Sequence, residues 1–207
     1  MKFYYGPGTC ALGIHIILEE IGKPYEAIAV NLREGEQFKP PFIEVNPKSK
    51  VPALVRDDGS LLTEFPAIAY WLARTNPANK LLPDGFDEQA RVLEAMDYVV
   101  ATLHMQGFSR LFRPTNFSPN AADEDAVKAR GNEIIAKGFK ILDAALGGGK
   151  NYIAGAFSVA DAALFYIAFW AARFGMALPP NVAAHYARMK ERPAVQAALA
   201  AEGLTAP

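Results

Sequence analysis

The pattern of apolar and polar positions changes along the chain, and the change lies near residue 80. Before it, the aromatic segment KFYY from Lys2 predicts a strand, and Ala11–Ile21 repeats apolar residues every three to four positions, as an amphipathic helix does. Gly22 suits the position just after that helix. A second strand, YEAIAV, is predicted from Tyr25.

Two further strands are predicted after an irregular stretch. VPALV from Val51 and LLT from Leu61 flank RDDGS, whose Asp-Gly dipeptide is typical of a hairpin turn. A helix follows from about Pro66 to Thr75. The order is therefore β-α-β, a short helical link, then β-β-α, which predicts a small mixed sheet with at least one helical crossover.

Strand signals end at the connector TNPANKLLPDG, and the rest of the chain has a helical pattern. Four apolar residues form one stripe: Ile135, Phe139, Leu142 and Leu146. Ser158 and Asp161 have the spacing of a capping box before the apolar run Ala162–Ala172. That run is shorter than the roughly 20 residues that span a membrane, so we interpret it as a buried core helix. We place one domain at residues 1–77, a linker at 78–86, and an all-helical domain at 87–207.

Composition argues against nucleic acids and membranes as binding partners of this protein. The 207 residues carry 21 Lys+Arg against 22 Asp+Glu, a formal net charge of −1, which gives neither a nucleic-acid-binding nor a lipid-headgroup surface. The single cysteine excludes an intramolecular disulfide, and the first residues lack the apolar stretch of a secretory signal. We expect a cytoplasmic protein without a membrane partner. No histidine or cysteine spacing matches a metal site.

The only cysteine, Cys10, precedes the first predicted helix, where unpaired backbone N–H groups favour an anion and lower a thiol pKa. That position suits a thiolate, although a lone cysteine also serves as a small buried apolar residue. The sequence continues Ala11-Leu12-Gly13, so a C-x-x-C dithiol is excluded.

Two other segments could bind a ligand. Pro52 must lie at the start or edge of a strand, which would leave the backbone of Val51 free to pair with an extended peptide, or Val51-Pro52 merely shapes a turn. Glu64 and Phe65 precede Pro66 at a helix start, where backbone N–H groups bind carboxylates and the Glu64 side chain could accept from an ammonium. Such a site would recognise both charges of an α-amino-acid end group, unless Glu64 is an ordinary solvated residue.

A long helix is predicted over DEQARVLEAMDYVVATLHMQGFSRLF, with Asp97 and His104 on one side. A lone helical histidine is more often structural than catalytic. Phe108, Leu111 and Phe112 continue its face, either as a core stripe or as the wall of an apolar pocket. We expect a structural role for His15.

The chain resembles the glutathione S-transferases, most closely the bacterial beta class. Six segments carry the resemblance in family order: KFYYGPGTCAL with His15, NPKSKVPAL, LLTEFPAIAYWLA, the His104 segment, FSVADAALF and RPAVQAALAAEGL. It implies a thioredoxin-like α/β domain with a mixed four-stranded sheet, an all-α second domain and a homodimer. No prosthetic group is implied, and glutathione is the co-substrate.

The resemblance also implies roles for particular residues. Cys10 and His104 match the catalytic positions, and Ser158 and Asp161 match a folding element. On this resemblance, nine residues are expected to bind glutathione: Cys10, Lys50, Val51, Pro52, Glu64, Phe65, Asp97, Thr102 and His104. The second substrate, a small hydrophobic electrophile, is expected against Phe108, Phe112 and Trp170.

Three departures from the family pattern bear on activity. Ala11 stands where relatives often have serine, and Phe65 stands where they tend to have serine or glycine. The family lysine after the second strand has no clear equivalent, although Lys39 or Lys50 could replace it. We predict transfer of the glutathione thiolate to hydrophobic electrophiles. The alternatives are Cys10-dependent disulfide exchange or peroxide reduction, and a non-enzymatic ligand-binding or dimerisation module.

Overall fold

The computed structural model describes all 207 residues and contains two compact units. Unit 1 consists of Met1–Leu82 together with Met189–Pro207, and unit 2 consists of Pro83–Arg188. The domain bounds expected from the sequence, with a linker at residues 78–86, remain a prediction. The sequence pattern carries no sign that residues 189–207 return to unit 1.

The sheet of unit 1 has four strands in the order β2-β1-β3-β4. The strands are β1 (Lys2–Tyr5), β2 (Glu26–Ala29), β3 (Ala53–Val55) and β4 (Leu61–Thr63). Phe3 lies opposite Ala27 in the parallel β1–β2 pair and opposite Leu54 in the antiparallel β1–β3 pair. A parallel pair needs a crossover, which the first helix supplies, and the Asp58-Gly59 turn closes the hairpin, with Gly59 at φ 82°.

Nine α-helices accompany the sheet. They are α1 (Ala11–Ile21), α2 (Phe42–Val45), α3 (Phe65–Thr75), α4 (Phe86–Asp97), α5 (Ser109–Phe112), α6 (Glu124–Ala145), α7 (Val159–Arg173), α8 (Pro180–Lys190) and α9 (Pro193–Ala201). Short 3₁₀ turns lie at Glu36–Phe38, Pro77–Asn79, Pro114–Asn116 and Ala121–Asp123. None of these helices is both long enough and apolar enough to cross a bilayer.

Both faces of the sheet are covered, because successive side chains of a strand point to opposite faces. The Phe3 ring packs on the α1 side, 5.2 Å from the ring of His15, while the Tyr4 ring lies 5.5 Å from Phe42 of α2. Gly22 ends α1 with φ 69°, as expected. The predicted fold class, a thioredoxin-like α/β part followed by an all-helical part, is confirmed.

The core of unit 2 is built around α7, in which every residue from Val159 to Ala171 is buried. The predicted buried helix is therefore confirmed, and so is its capping box. The Asp161 carboxylate accepts the Ser158 backbone N–H and hydroxyl, both at 2.9 Å. The predicted stripe on α6 is buried as well.

The long helix predicted over 87–112 is not α-helical throughout. Between α4 and α5, residues Tyr98–Phe108 form a π-helical segment, which is much longer than the single-turn bulges usual in proteins. The predicted face was drawn at α-helical spacing, whereas the backbone of this segment has π-helical spacing. β-branched residues and Gly107 lower the local preference for an α-helix. Helix α6 also packs closely here, since a Cβ on Gly138 would lie 2.6 Å from Leu103 Cδ1.

Candidate functional site

In unit 1, the chain brings the cysteine and the segment before β3 together. Cys10 is half-buried at the position preceding α1, and its thiol donates to the Val51 carbonyl with Sγ 3.7 Å from the oxygen. The Val51–Pro52 peptide is cis, and Pro52 stands just before β3, as the sequence indicates. Two predicted site residues from distant segments are therefore in contact.

The protonation of Cys10 differs from the expectation. Burial raises the pKa of the Cys10 thiol to about 12, and the negative charges of Glu202 and Glu64 act in the same direction. Backbone N–H groups of Cys10 and Ala11 lower the pKa, as predicted for a helix start, but they do not outweigh burial. The expectation of a lowered pKa is therefore wrong for this structure.

A buried carboxylate behind the cysteine loop was missed at the sequence level. Glu202 Oε2 accepts the Gly8 backbone N–H at 2.8 Å, and Glu202 Oε1 lies 2.9 Å from His15 Nδ1. Both side chains are fully buried. His15 thus ties α1 to the segment after α9, consistent with a structural role. No sequence signal could have found Glu202, because its partner is 187 residues away.

The start of α3 presents a carboxylate beside a helix N-terminus. Glu64 precedes the helix with φ 69°, an uncommon conformation for a residue other than glycine, and Phe65 is buried as the first helical residue. Pro66 was predicted to be the first residue of this helix, and it is the second. Backbone strain of this kind clusters at functional sites.

Lys48 is the lysine nearest to this carboxylate, and the sequence analysis did not single it out. Its Nζ donates to Glu64 Oε1 at 2.7 Å and to Thr63 Oγ1 at 2.9 Å. The two lysines that the sequence offered as replacements for the family lysine, Lys39 and Lys50, make other contacts. Lys39 Nζ donates to the Glu34 carbonyl at 2.8 Å, and the backbone carbonyl of Lys50 accepts from the Asn46 side chain at 2.7 Å.

In unit 2, an aromatic cluster surrounds the candidate histidine. The ring of His104 lies 4.8 Å from that of Trp170 at an interplanar angle of 86°, and its Nδ1 is 3.4 Å from the Tyr166 hydroxyl. Trp170 also contacts Phe108 at 5.5 Å and Phe112 at 4.9 Å. Four residues predicted to belong to the site therefore form one cluster, in which His104, Phe108 and Phe112 each contact Trp170. Tyr166 was missed, although its four-residue spacing from Trp170 places both on one face of α7.

The predicted apolar wall is a packed cluster rather than an open cavity. Phe108 and Trp170 are buried, whereas Phe112 is 45% exposed and Phe174 is 48% exposed. These last two rings, 5.5 Å apart, form the accessible apolar surface. Asp97 is exposed and Thr102 is half-buried, and their role in binding glutathione remains a prediction.

Comparison with known proteins identifies the family to which the chain is similar. The family model described as glutathione S-transferase, N-terminal domain, matches residues 8–75, and the one described as glutathione S-transferase, C-terminal domain, matches residues 125–188. Glutathione S-transferase GstA of Escherichia coli O157:H7 is 38% identical, covering 99% of this chain and 100% of the relative.

Solved structures agree. A sphingomonad glutathione S-transferase complexed with glutathione has a TM-score of 0.85 and 37% identity, covering 99% of this chain and 100% of that one. A beta-class glutathione S-transferase from Sphingomonas chungbukensis has the same TM-score and 36% identity, again covering 99% and 100%.

Proposed function

Because the chain belongs to the glutathione S-transferase family, we propose that it binds glutathione through unit 1 and transfers its thiolate to small hydrophobic electrophiles. One observation carries the binding step: Cys10 and Val51 are in contact, in the same unit that holds the Glu64 carboxylate at the start of α3. In this proposal, Glu64 holds the ammonium of the γ-glutamyl group, the start of α3 holds its carboxylate, and Val51 pairs with the cysteinyl backbone.

The protonation of Cys10 favours a particular mechanism. Because burial raises the pKa of the Cys10 thiol to about 12, Cys10 is almost entirely protonated at neutral pH, and it is therefore a poor nucleophile and a competent hydrogen-bond donor. A free thiol such as that of glutathione has a pKa of about 8.5 and is a few per cent ionised. We therefore assign the nucleophile to the glutathione sulfur, with its negative charge stabilised by the Cys10 backbone N–H and by the Cys10 S–H, which turns to it from the Val51 carbonyl.

The second substrate is assigned to the apolar surface of unit 2. Phe112 and Phe174 supply exposed rings, and buried Phe108 and Trp170 support them. We assign His104 to assist the sulfur, and Asp97, Thr102 and Lys50 to hold polar ends of glutathione, following the resemblance. A homodimer and a cytoplasmic location also remain predictions, and multi-angle light scattering measures the first.

Two measurements on the purified chain test the proposal. We expect retention on immobilised glutathione and conjugation of glutathione to 1-chloro-2,4-dinitrobenzene, followed by absorbance of the product. Retention without turnover would support a ligand-binding module instead. Absence of both would contradict the proposal.

The variant Cys10→Ala separates the remaining alternative, disulfide exchange or peroxide reduction at Cys10. We expect conjugation to fall by about tenfold, because one donor to the thiolate is lost while the glutathione sulfur remains the nucleophile. Complete loss of conjugation, together with a glutathione–Cys10 mixed disulfide detected by mass spectrometry in the wild-type protein, would favour chemistry at Cys10.

A further inference from the structure

The orientation of His104 determines what this histidine can do. A neutral imidazole has one donor and one acceptor nitrogen, and the hydrogen bond that one nitrogen makes decides which nitrogen carries the proton. In unit 2, Nδ1 of His104 lies 3.4 Å from the hydroxyl of Tyr166, a fully buried residue of α7. The direction of this hydrogen bond therefore sets the tautomer.

The acidities of the two groups indicate the direction. A phenolic O–H, with a reference pKa of about 10, is a much better acid than the N–H of a neutral imidazole, and an imidazole nitrogen is a better base than a phenolic oxygen. The favoured arrangement is thus Tyr166 O–H donating to an unprotonated Nδ1. The proton of neutral His104 then lies on Nε2.

Ring packing holds this arrangement in place. The His104 ring is nearly perpendicular to the rings of Tyr166 and Trp170, with interplanar angles of 78° and 86° and centroid distances of 5.9 and 4.8 Å. Tyr166 and Trp170 are one turn apart on α7, and their own rings meet at 5.0 Å. Tilting the imidazole out of its plane has to disturb both ring contacts, and a half-turn about Cβ–Cγ, which puts Cδ2 in the place of Nδ1, loses the hydrogen bond to Tyr166.

We propose that Tyr166 is a positioning residue that keeps the proton of neutral His104 on Nε2, so that His104 acts as a hydrogen-bond donor and not as a general base. A base at Nε2 would need an unprotonated nitrogen there, and the contact with Tyr166 places the unprotonated nitrogen at Nδ1 instead. The catalytic part of this inference rests on the proposed function, whereas the tautomer does not.

The tautomer is measured directly by two-bond ¹H–¹⁵N correlation NMR of the histidine rings, at a pH where His104 is neutral. The chain has only three histidines, and loss of one signal set in His104→Gln assigns the ring. We expect a protonated Nε2 and an unprotonated Nδ1 in the wild-type protein. A protonated Nδ1 would overturn the proposal without any variant.

Tyr166→Phe removes the hydroxyl and keeps the ring. We expect the His104 signals to move toward a mixture of tautomers, and kcat/KM for conjugation to fall by about 2- to 10-fold, the range for one lost hydrogen bond. The matched control is Tyr186→Phe, which removes another buried tyrosine hydroxyl of unit 2 and leaves the His104 signals in place. Unchanged His104 signals in Tyr166→Phe would overturn the positioning role.

The two proposals fail separately. If the wild-type protein shows the Nε2–H tautomer and Tyr166→Phe shifts it, but the protein neither binds nor conjugates glutathione, the proposed function is wrong and the positioning by Tyr166 stands. If it conjugates glutathione with a protonated Nδ1 on His104, the reverse holds.

Discussion

Each unit contains one buried histidine–carboxylate pair, and the two pairs differ in what else holds the carboxylate. In unit 1, Glu202 has the ring of His15 and one backbone N–H, that of Gly8. In unit 2, Asp161 has the ring of His185 at 3.0 Å and three further donors. The same chemical pair is therefore a single link in one unit and part of a network in the other.

Sequence separation explains this difference. Asp161 and Ser158 are three residues apart, so the geometry of a helix start brings the carboxylate to its backbone donors. Glu202 and His15 meet only after most of the chain has folded back. A carboxylate with local donors is both recognisable in a sequence and well supplied with hydrogen bonds, whereas a carboxylate with distant donors is neither.

The largest expected effect is that of Asp161→Ala. It removes the cap of the central helix and leaves donors of Ile153, Ser158 and His185 unsatisfied, of which the last two are buried. We expect the free energy of unfolding to fall by about 3–5 kcal/mol in urea titrations. Asp125→Ala, at an exposed position in the first turn of α6, is the control and should change it by less than about 0.5 kcal/mol. Similar losses in both variants would contradict the account.

A second pair of variants tests the count of donors directly. His15→Ala and His185→Ala remove the same atoms from fully buried sites, but Glu202 keeps the N–H of Gly8 alone, whereas Asp161 keeps three donors. We expect His15→Ala to cost about 1–3 kcal/mol more than His185→Ala, because the remaining carboxylate is less well satisfied. Denaturant midpoints at one pH measure the difference. Equal costs would show that the additional donors do not matter.

A smaller effect is expected for Ser158→Ala. The Asp161 carboxylate keeps the backbone N–H of Ser158, the N–H of Ile153 and the His185 ring when the hydroxyl is lost. We expect a loss of about 1 kcal/mol in the same titration, which is typical of an N-cap substitution. Ser109→Ala, in the first position of α5, is the control. A loss as large as that of Asp161→Ala would mean that the hydroxyl, not the carboxylate, holds the cap.

The smallest expected effect concerns the reactivity of Cys10, which depends on the negative charge of Glu202. The thiolate fraction increases as pH approaches a pKa of about 12 from below, so alkylation of Cys10 by iodoacetamide should accelerate about tenfold per pH unit from pH 7 to 10, without a plateau. Glu202→Gln removes a negative charge that raises this pKa and should increase the rate severalfold at pH 8. Glu191→Gln, at an exposed residue, should leave the rate unchanged. A plateau near pH 8 in the wild-type protein would contradict the raised pKa.

Much of the fold was predictable because its signals are local. The aromatic run in KFYY, the three-to-four spacing in Ala11–Ile21, the Asp-Gly turn and the capping box each depend on residues less than about a dozen positions apart. The π-helical segment was not predictable, because its hydrophobic residues also fit an α-helix. The close approach of Gly138 on α6 to Leu103 of this segment is a tertiary contact, which the local sequence does not show.

The candidate site was predictable in part. The contact of Cys10 with Val51 and the meeting of His104 with Trp170 agree with the family resemblance. Lys48 and Tyr166 were missed, since an ordinary lysine and a tyrosine in an apolar run carry no pattern of their own. The pKa of Cys10 was expected in the wrong direction, because a helix start is visible in a sequence and burial of a sulfur atom is not.

The link between Glu202 and the first helix also constrains the order of events during synthesis. At about 5–20 residues per second, a ribosome needs on the order of 10–40 s to make the 187 residues that separate His15 from its partner. All of unit 2 is translated within that interval. The segment around Cys10 therefore lacks one hydrogen-bond partner while unit 2 is synthesised. The Gly8 N–H can donate to the Glu202 carboxylate only after residue 202 has been added.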